Sequence, residues 1–306
     1  MKVVGSVLEL IGGTPVLRLD RMRGKDDAEV YVKLEGFNPG GSVKDRPALV
    51  MIEEAERAGQ INKNTVIVEA TSGNTGIGLA MVAAVKGYPI IIIMPENMSE
   101  ERKKILQAYG AKLVLTPANE GVRGALRRAE EMVAANPNYF MPQQFANPAN
   151  PLSHERATAR EILEQVGTDI SVFVAGVGSG GTITGVAQAL KKTIPDLKVV
   201  AVEPFDSSIL SGELPGTHKI QGIGAGFIPE ALRMELIDKI FRVKDEEAIN
   251  TARLMARKEG ILVGISTGAA VFCALRLAKK LGRKKKIVTI APDGGDKYFS
   301  TELFSF

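Results

Sequence analysis

Glycine-rich turns carry the first chemistry in this chain. The stretch VIVEATSGNTGIGLA sets Thr71, Ser72, Gly73, Asn74, Thr75 and Gly76 where a β-branched run meets a helical pattern. Hydroxyls and backbone N–H groups at a helix N-terminus form a cradle for an anion such as a carboxylate. Capping a helix needs one Ser or Thr and one Gly, so this run of small and capping residues points past capping to a ligand. The stretch VFVAGVGSGGTITG sets Gly176, Gly178 and Gly181 in the spacing GxGxxG, and Glu203 closes the next apolar run. That pattern suits a dinucleotide, with the acidic side chain on the ribose. Gly180, Gly181 and Thr182 suit equally a single phosphate wrapped by successive N–H groups and hydroxyls. No lysine follows the last glycine, which excludes a P-loop. In GISTGAA, Ser266 and Thr267 open an apolar helix, and ordinary capping explains them locally. NPGGSVKDR is the odd stretch, because Lys44 and Arg46 fall in the first turn of a predicted helix, whose dipole disfavours positive charge.

These residues sit at the junctions of an alternating pattern. Strands are predicted over 30–34, 65–69, 90–94, 112–116, 139–141, 172–177, 199–203, 239–243 and 286–291. Helical patterns fall near 43–58, 75–86, 99–109, 121–135, 151–166, 182–193, 245–259 and 267–281. PIIIIMP is apolar throughout and KIVTIAP apolar but for Lys286 and Thr289, and both read as strands buried on both faces. The alternation predicts an α/β fold with parallel sheets and helices on both sides. In such sheets ligands bind beyond the carboxyl ends of the strands, which is where the glycine-rich turns lie. A chain of 306 residues is long enough for about two domains, and a mild boundary falls at PQQFANPANP, residues 142–151. Residues 204–238 are rich in Gly, Pro and Ser, as a functional loop would be.

Composition excludes several classes. The chain is 45% hydrophobic and 24% charged, with a net charge of +4 spread among 35 acidic residues. The densest basic cluster, Arg283, Lys284, Lys285 and Lys286, leads into an apolar run and reads as the solvated approach to a buried strand, so no nucleic-acid partner is expected. One cysteine, Cys273 in AAVFCALRL, precludes a disulfide framework and reads as a small core residue. His154 and His218 are isolated, so no metal site is expected. No apolar run approaches the ~18 residues of a membrane span and no signal core opens the chain, which predicts a cytoplasmic protein.

NPGGSVKDR, EATSGNTGIGLA, QQFANPANP, GVGSGGTITG, HKIQGIGAGFIP and GISTGAA together resemble the cysteine synthase (O-acetylserine sulfhydrylase) family, pyridoxal-phosphate enzymes of fold type II. The likeness runs from LIGGTPVLRL to DKYFSTELF and makes the dinucleotide reading the runner-up. It implies a two-domain, tryptophan synthase β-like α/β fold: a smaller mobile domain near residues 41–144, and a larger phosphate-binding one formed by 1–40 and 145–306. It implies that Lys44 forms a Schiff base with pyridoxal 5′-phosphate, that Asn74 bonds the cofactor's 3′-oxygen, and that Ser266 faces the pyridine nitrogen. Gly178, Ser179, Gly180, Gly181 and Thr182 would hold the phosphate. Thr71, Ser72, Gly73, Asn74, Thr75 and Gln144 would take the substrate carboxylate.

The implied reaction is a β-replacement that makes L-cysteine from O-acetyl-L-serine and sulfide through an aminoacrylate, in a homodimer. Lysine reacts as the neutral amine, and a helix N-terminus with a cationic neighbour would lower its pKa. Once freed by substrate, Lys44 is the expected general base. A serine opposite the ring nitrogen cannot enforce protonation as an aspartate would, which favours β-elimination over transamination. The segment 217–229 matches the family's docking place for the C-terminal tail of serine acetyltransferase. Departures are Gly12-Gly13-Thr14-Pro15 for the usual GNTP, the run ATAREI at 157–162 for TTGPEI, Ser179 for a common threonine, and the ending APDGGDKYFST. They leave open O-phosphoserine sulfhydrylase or cystathionine β-synthase chemistry. From other classes, a nicotinamide-dependent oxidoreductase using 176–181 and a non-catalytic regulatory subunit also stay open. Arg46 is expected to pair with a carboxylate.

Overall fold

The computed structural model describes residues 3–71 and 73–305. The described strands are β1 (Val16–Arg18), β2 (Glu29–Leu34), β3 (Val66–Ala70), β4 (Ile90–Pro95), β5 (Lys112–Thr116), β6 (Tyr139–Phe140), β7 (Ile170–Gly176), β8 (Lys198–Pro204), β9 (Lys239–Val243) and β10 (Lys286–Ala291). The helices are α1 (Asp45–Arg57), α2 (Asn74–Lys86), α3 (Glu100–Ala108), α4 (Gly121–Ala134), α5 (Ala149–Ser153), α6 (Ala159–Val166), α7 (Gly181–Thr193), α8 (Asp245–Leu254) and α9 (Ile265–Leu281). The chain divides into two compact units, one of Met1–Ile11 with Lys44–Asn150, the other of Gly12–Val43 with Pro151–Phe306.

The smaller unit is built on a parallel sheet in the order β5-β4-β3-β6. All six residues of β4 are buried, because successive side chains feed two cores. Ile90, Ile92 and Met94 pack with Met51 and Ile52 of α1, Leu79 of α2 and Leu106 of α3. Ile91 and Ile93 join Ala125 and Ala129 of α4. Leu8 packs on the first of these cores, which is why the N-terminal segment belongs to this unit.

The larger unit carries six strands in the order β1-β2-β10-β7-β8-β9, all parallel except β1, which pairs antiparallel with β2. Val172, Val174, Val200 and Val202 face a core shared with α8 and α9. Phe173, Ala175, Val199 and Ala201 face one shared with α6 and α7. Both sheets are thus doubly wound, as the alternating sequence predicts. Strand β1 escapes that prediction because it is a three-residue edge with no buried side chain. Two π-helical turns, His154–Thr158 and Met255–Glu259, interrupt helical runs that read as regular from sequence.

One departure from the family pattern finds a physical reason here. Gly13 has φ +59° and nothing within 4 Å of a Cβ placed on it, so the position asks for a left-handed residue, a role that asparagine and glycine both fill. Glu161, which the run at 157–162 shares with TTGPEI, stands 2.7 Å from the fully buried amine of Lys33. That amine also donates to Gln165 Oε1 at 2.9 Å.

Candidate functional site

In the smaller unit, α1 opens at Asp45 with Lys44 as its cap residue, one position before the first turn in which the sequence pattern puts it. Asp45 supplies the first-turn acid the dipole favours. Ser42, just before α1, forms a backbone β-bridge with Asp293. The Lys44 amine is pushed down from 10.5 to about 8, and the cause is desolvation by the surrounding protein. Burial therefore does what the sequence pattern suggested of the dipole and a neighbouring cation. Helix α2 fixes the backbone at this point: a Cβ on Gly78 would lie 3.0 Å from the Lys44 carbonyl oxygen and 3.1 Å from Ala48 Cβ. Sequence reasoning passed over Gly78, although a glycine inside the helical run GIGLA is a signal of close packing. Arg46 is buried beside Asp45 on the first turn of α1.

The 71–76 turn follows β3 directly. Its cap residue is Gly73, which has no side chain with which to cap α2. Thr71 Oγ1 accepts from the Gly73 N–H at 3.3 Å. Thr75 donates its hydroxyl to Gln144 Oε1 at 2.6 Å, joining two residues that lie 69 positions apart. A Cβ on Gly73 would meet nothing within 4 Å, so the turn borders open space. Asn74 opens α2 and is half-buried. Ser72 lies outside the described residues.

The larger unit holds the other predicted residues. Gly178, Ser179 and Gly180 link β7 to α7, and Gly180, with φ +80°, is the left-handed cap residue of that helix. Gly181 and Thr182 form its first turn, whose N–H groups have no partner within the helix. The turn is pressed against its neighbours: a Cβ on Gly178 would lie 2.3 Å from the Gly222 carbonyl oxygen, and one on Gly180 2.6 Å from Leu232 Cβ. The sequence therefore presents bare backbone here, the form that binds phosphate. Thr182 Oγ1 lies 3.3 Å from Nε2 of His154, whose Nδ1 lies 2.9 Å from Thr158 Oγ1. His154 thus backs the turn instead of standing alone. Ser266 is buried in the first turn of α9, where Gly264 occupies the cap position, so capping does not account for it. A Cβ on Gly222 would come 3.8 Å from its hydroxyl.

The family model described as pyridoxal-phosphate dependent enzyme matches residues 7–293. The chain belongs to this family. Pyridoxal phosphate is accordingly the cofactor of this pyridoxal-phosphate dependent enzyme, whose fold is type II. It is 53% identical over 306 residues to a cysteine synthase of Staphylococcus aureus (strain Mu50 / ATCC 700699), covering all of this chain and 98% of that one. A crystal structure of cysteine synthase (OASS) from Entamoeba histolytica matches with a TM-score of 0.96 at 40% identity, over 100% of this chain and 92% of the other. An O-acetylserine dependent cystathionine beta-synthase from Helicobacter pylori matches with a TM-score of 0.93 at 41% identity, over 99% and 100%.

The residues present fit the cofactor. The smaller unit offers a lysine of lowered pKa, as an aldehyde needs, and the larger a turn in which a Cβ on Gly178 or Gly180 would clash, leaving backbone N–H groups for a phosphate. The competing dinucleotide reading loses its ribose acceptor, because Glu203 Oε2 accepts from the Leu210 N–H at 2.8 Å and Oε1 from the Ser211 hydroxyl at 2.5 Å. Two of the four residues of the basic cluster are paired with acids, Arg283 with Asp26 and Lys286 with Asp169, each at 2.7 Å. Among the described residues no group of three His, Cys, Asp or Glu could hold a metal ion, and no helix is long and apolar enough to cross a membrane. Burial pushes the Cys273 thiol up to about 12. It should therefore resist a thiol reagent such as dithionitrobenzoate in the native protein and react as one equivalent after denaturation; native labelling within minutes would contradict this.

Proposed function

We propose that this enzyme makes L-cysteine from O-acetyl-L-serine and sulfide, releasing acetate. The observation that carries the reading is the 53% identity to a cysteine synthase over the whole chain. Lys44 and Asn74 are proposed to act on the cofactor's aldehyde and 3′-oxygen. Gly178, Ser179, Gly180, Gly181 and Thr182 are proposed for its phosphate, and Ser266 for its ring nitrogen. Thr71, Ser72, Gly73, Asn74 and Thr75 are proposed, with Gln144, for the substrate carboxylate. When bound, pyridoxal phosphate supplies an electron-withdrawing ring that stabilises negative charge at the substrate Cα. The neutral Lys44 amine removes the Cα proton, the Cβ–O bond breaks with departure of acetate, sulfide forms the Cβ–S bond, and Lys44 returns the proton to Cα. Thr75 occupies the Gln144 carbonyl oxygen, so the amide of Gln144 turns its N–H donors to an anion.

A homodimer, a cytoplasmic location, a mobile 41–144 domain and docking of an acetyltransferase tail against 217–229 belong to the same proposal and rest on the family likeness. A second reading, cystathionine formation from O-acetylserine and homocysteine, rests on the likeness to the Helicobacter pylori enzyme, at lower identity than to the cysteine synthase. Steady-state kinetics with O-acetyl-L-serine, O-phospho-L-serine and L-serine as donors, each against sulfide and homocysteine, test both. The highest kcat/KM is expected for O-acetyl-L-serine with sulfide. Preference for homocysteine would replace the first reading with the second.

A further inference from the structure

Glu69 is a carboxyl group with no place in the proposed chemistry, yet it lies at the end of β3, two residues before Thr71, and is only 1% exposed. A position buried on both faces of a parallel sheet ordinarily takes an aliphatic side chain. No cation among the described residues pairs with this one. Its partner is backbone: Oε2 accepts from the N–H of Gln143 at 3.0 Å, across 74 positions of sequence. Gln143 is one of two described non-glycine residues with positive φ, at +57°. Such a conformation is disfavoured for a residue with a Cβ and persists where its surroundings hold it.

The residue held next in line is Gln144. The Gln143 carbonyl accepts from the N–H groups of Ala146 and Asn147, both at 2.9 Å. The Gln144 carbonyl accepts from Asn150 Nδ2 at 2.7 Å. Its side-chain oxygen accepts from Thr75 at 2.6 Å. Both oxygens of Gln144 are therefore engaged, and its amide N–H groups are what it has to offer an anion. We infer that Glu69 is a positioning residue for the amino-acid carboxylate: by holding Gln143 in the left-handed conformation it sets the direction from which the Gln144 amide meets that carboxylate. The inference rests on the proposed substrate-binding role of Gln144.

Burial raises the Glu69 pKa to about 8, with the Gln143, Gln144 and Ala70 amides opposing the shift. At neutral pH the group is mostly the uncharged acid, whose acceptor oxygen a glutamine reproduces. Glu69→Gln in the holoenzyme should hence keep the KM for O-acetyl-L-serine within about twofold. Glu69→Ala should raise that KM about tenfold, with the KM for sulfide unchanged and kcat altered less than about threefold. Adding Gln143→Gly to Glu69→Ala removes the left-handed penalty and should recover part of the loss. Hydrogen exchange of the peptide spanning 139–147, read by mass spectrometry, should quicken in Glu69→Ala and not in Glu69→Gln.

Equal damage from Gln and Ala, joint movement of both KM values, or no recovery in the double variant would overturn the inference. So would unchanged exchange of the peptide in an Ala variant too unstable for kinetics. The carboxylate reading itself is tested separately, by titrating the wild-type holoenzyme with L-alanine and L-alaninamide and following the cofactor absorbance. If wild type does not discriminate between them, the proposed role of Gln144 fails, and this inference with it. If wild type discriminates and Glu69→Ala does so equally well, the inference alone fails.

Discussion

Lys44→Ala is expected to lower cysteine formation by about 10,000-fold, the upper end of what a positioned general base contributes. The loss should be in kcat, with acetate release and cysteine formation falling together, since both require the Cα proton to leave. Borohydride treatment should fix the cofactor to the peptide containing Lys44 in wild type and leave that of the variant unmodified. Retention of more than about 1% of wild-type activity would remove Lys44 from the role of base. The pH dependence follows from the same burial. Lysine reacts as the neutral amine, and a pKa of about 8 in place of 10.5 leaves roughly 300-fold more of it at pH 7. Protonation removes the reactive form, so capture of pyridoxal phosphate by the resolved protein should slow about tenfold for each pH unit below 8 and level off above it. Levelling off only near the ordinary lysine value would show that the protein around Lys44 does not desolvate it.

The sources of that pKa mark how far the sequence could be read. Strand β4 was legible because an uninterrupted run of apolar residues needs protein on both of its faces, and β10 because only Thr289 interrupts its run from Ile287 to Ala291. The glycine-rich turns were legible because they join strand to helix locally. Lys44 was visible as an anomaly, but the cause of its lowered pKa was not, since desolvation depends on what packs around the amine and a helix dipole can be read from neighbours alone. The same limit hid Gly78, whose meaning lies in the carbonyl of Lys44, and Glu69, whose partner is 74 positions away. His154 was set aside as isolated because its contacts are Thr182, 28 residues on, and Thr158, four residues on across a π-helical turn that an ordinary helical pattern does not reveal. Glu203 shows the reverse error: its spacing from the glycines suggested a ribose acceptor, and only the loop that returns to it shows both oxygens engaged.

Gly178→Ala should weaken retention of pyridoxal phosphate by about 100-fold, equivalent to about 2.7 kcal/mol. The added Cβ would fall 2.3 Å from the Gly222 carbonyl oxygen, and this clash is between two backbones. Rotation of a side chain cannot relieve it. The 222–224 loop cannot simply retreat, because the Gly224 N–H donates to the Val177 carbonyl at 2.9 Å, immediately before the substituted position. The turn between β7 and α7 must yield, carrying with it the N–H groups proposed to surround the phosphate. Gly180→Ala should act in the same direction and add about 1 kcal/mol of left-handed strain at φ +80°. Ser179→Ala removes one hydroxyl without moving backbone and should cost only about 1 kcal/mol. Comparing pyridoxal phosphate with pyridoxal separates a damaged phosphate site from general unfolding. Gly178→Ala should lose most of the preference for the phosphorylated form while its affinity for pyridoxal changes little. If both affinities fall together, the substitution acts through the fold; if the preference survives intact, the phosphate is held elsewhere.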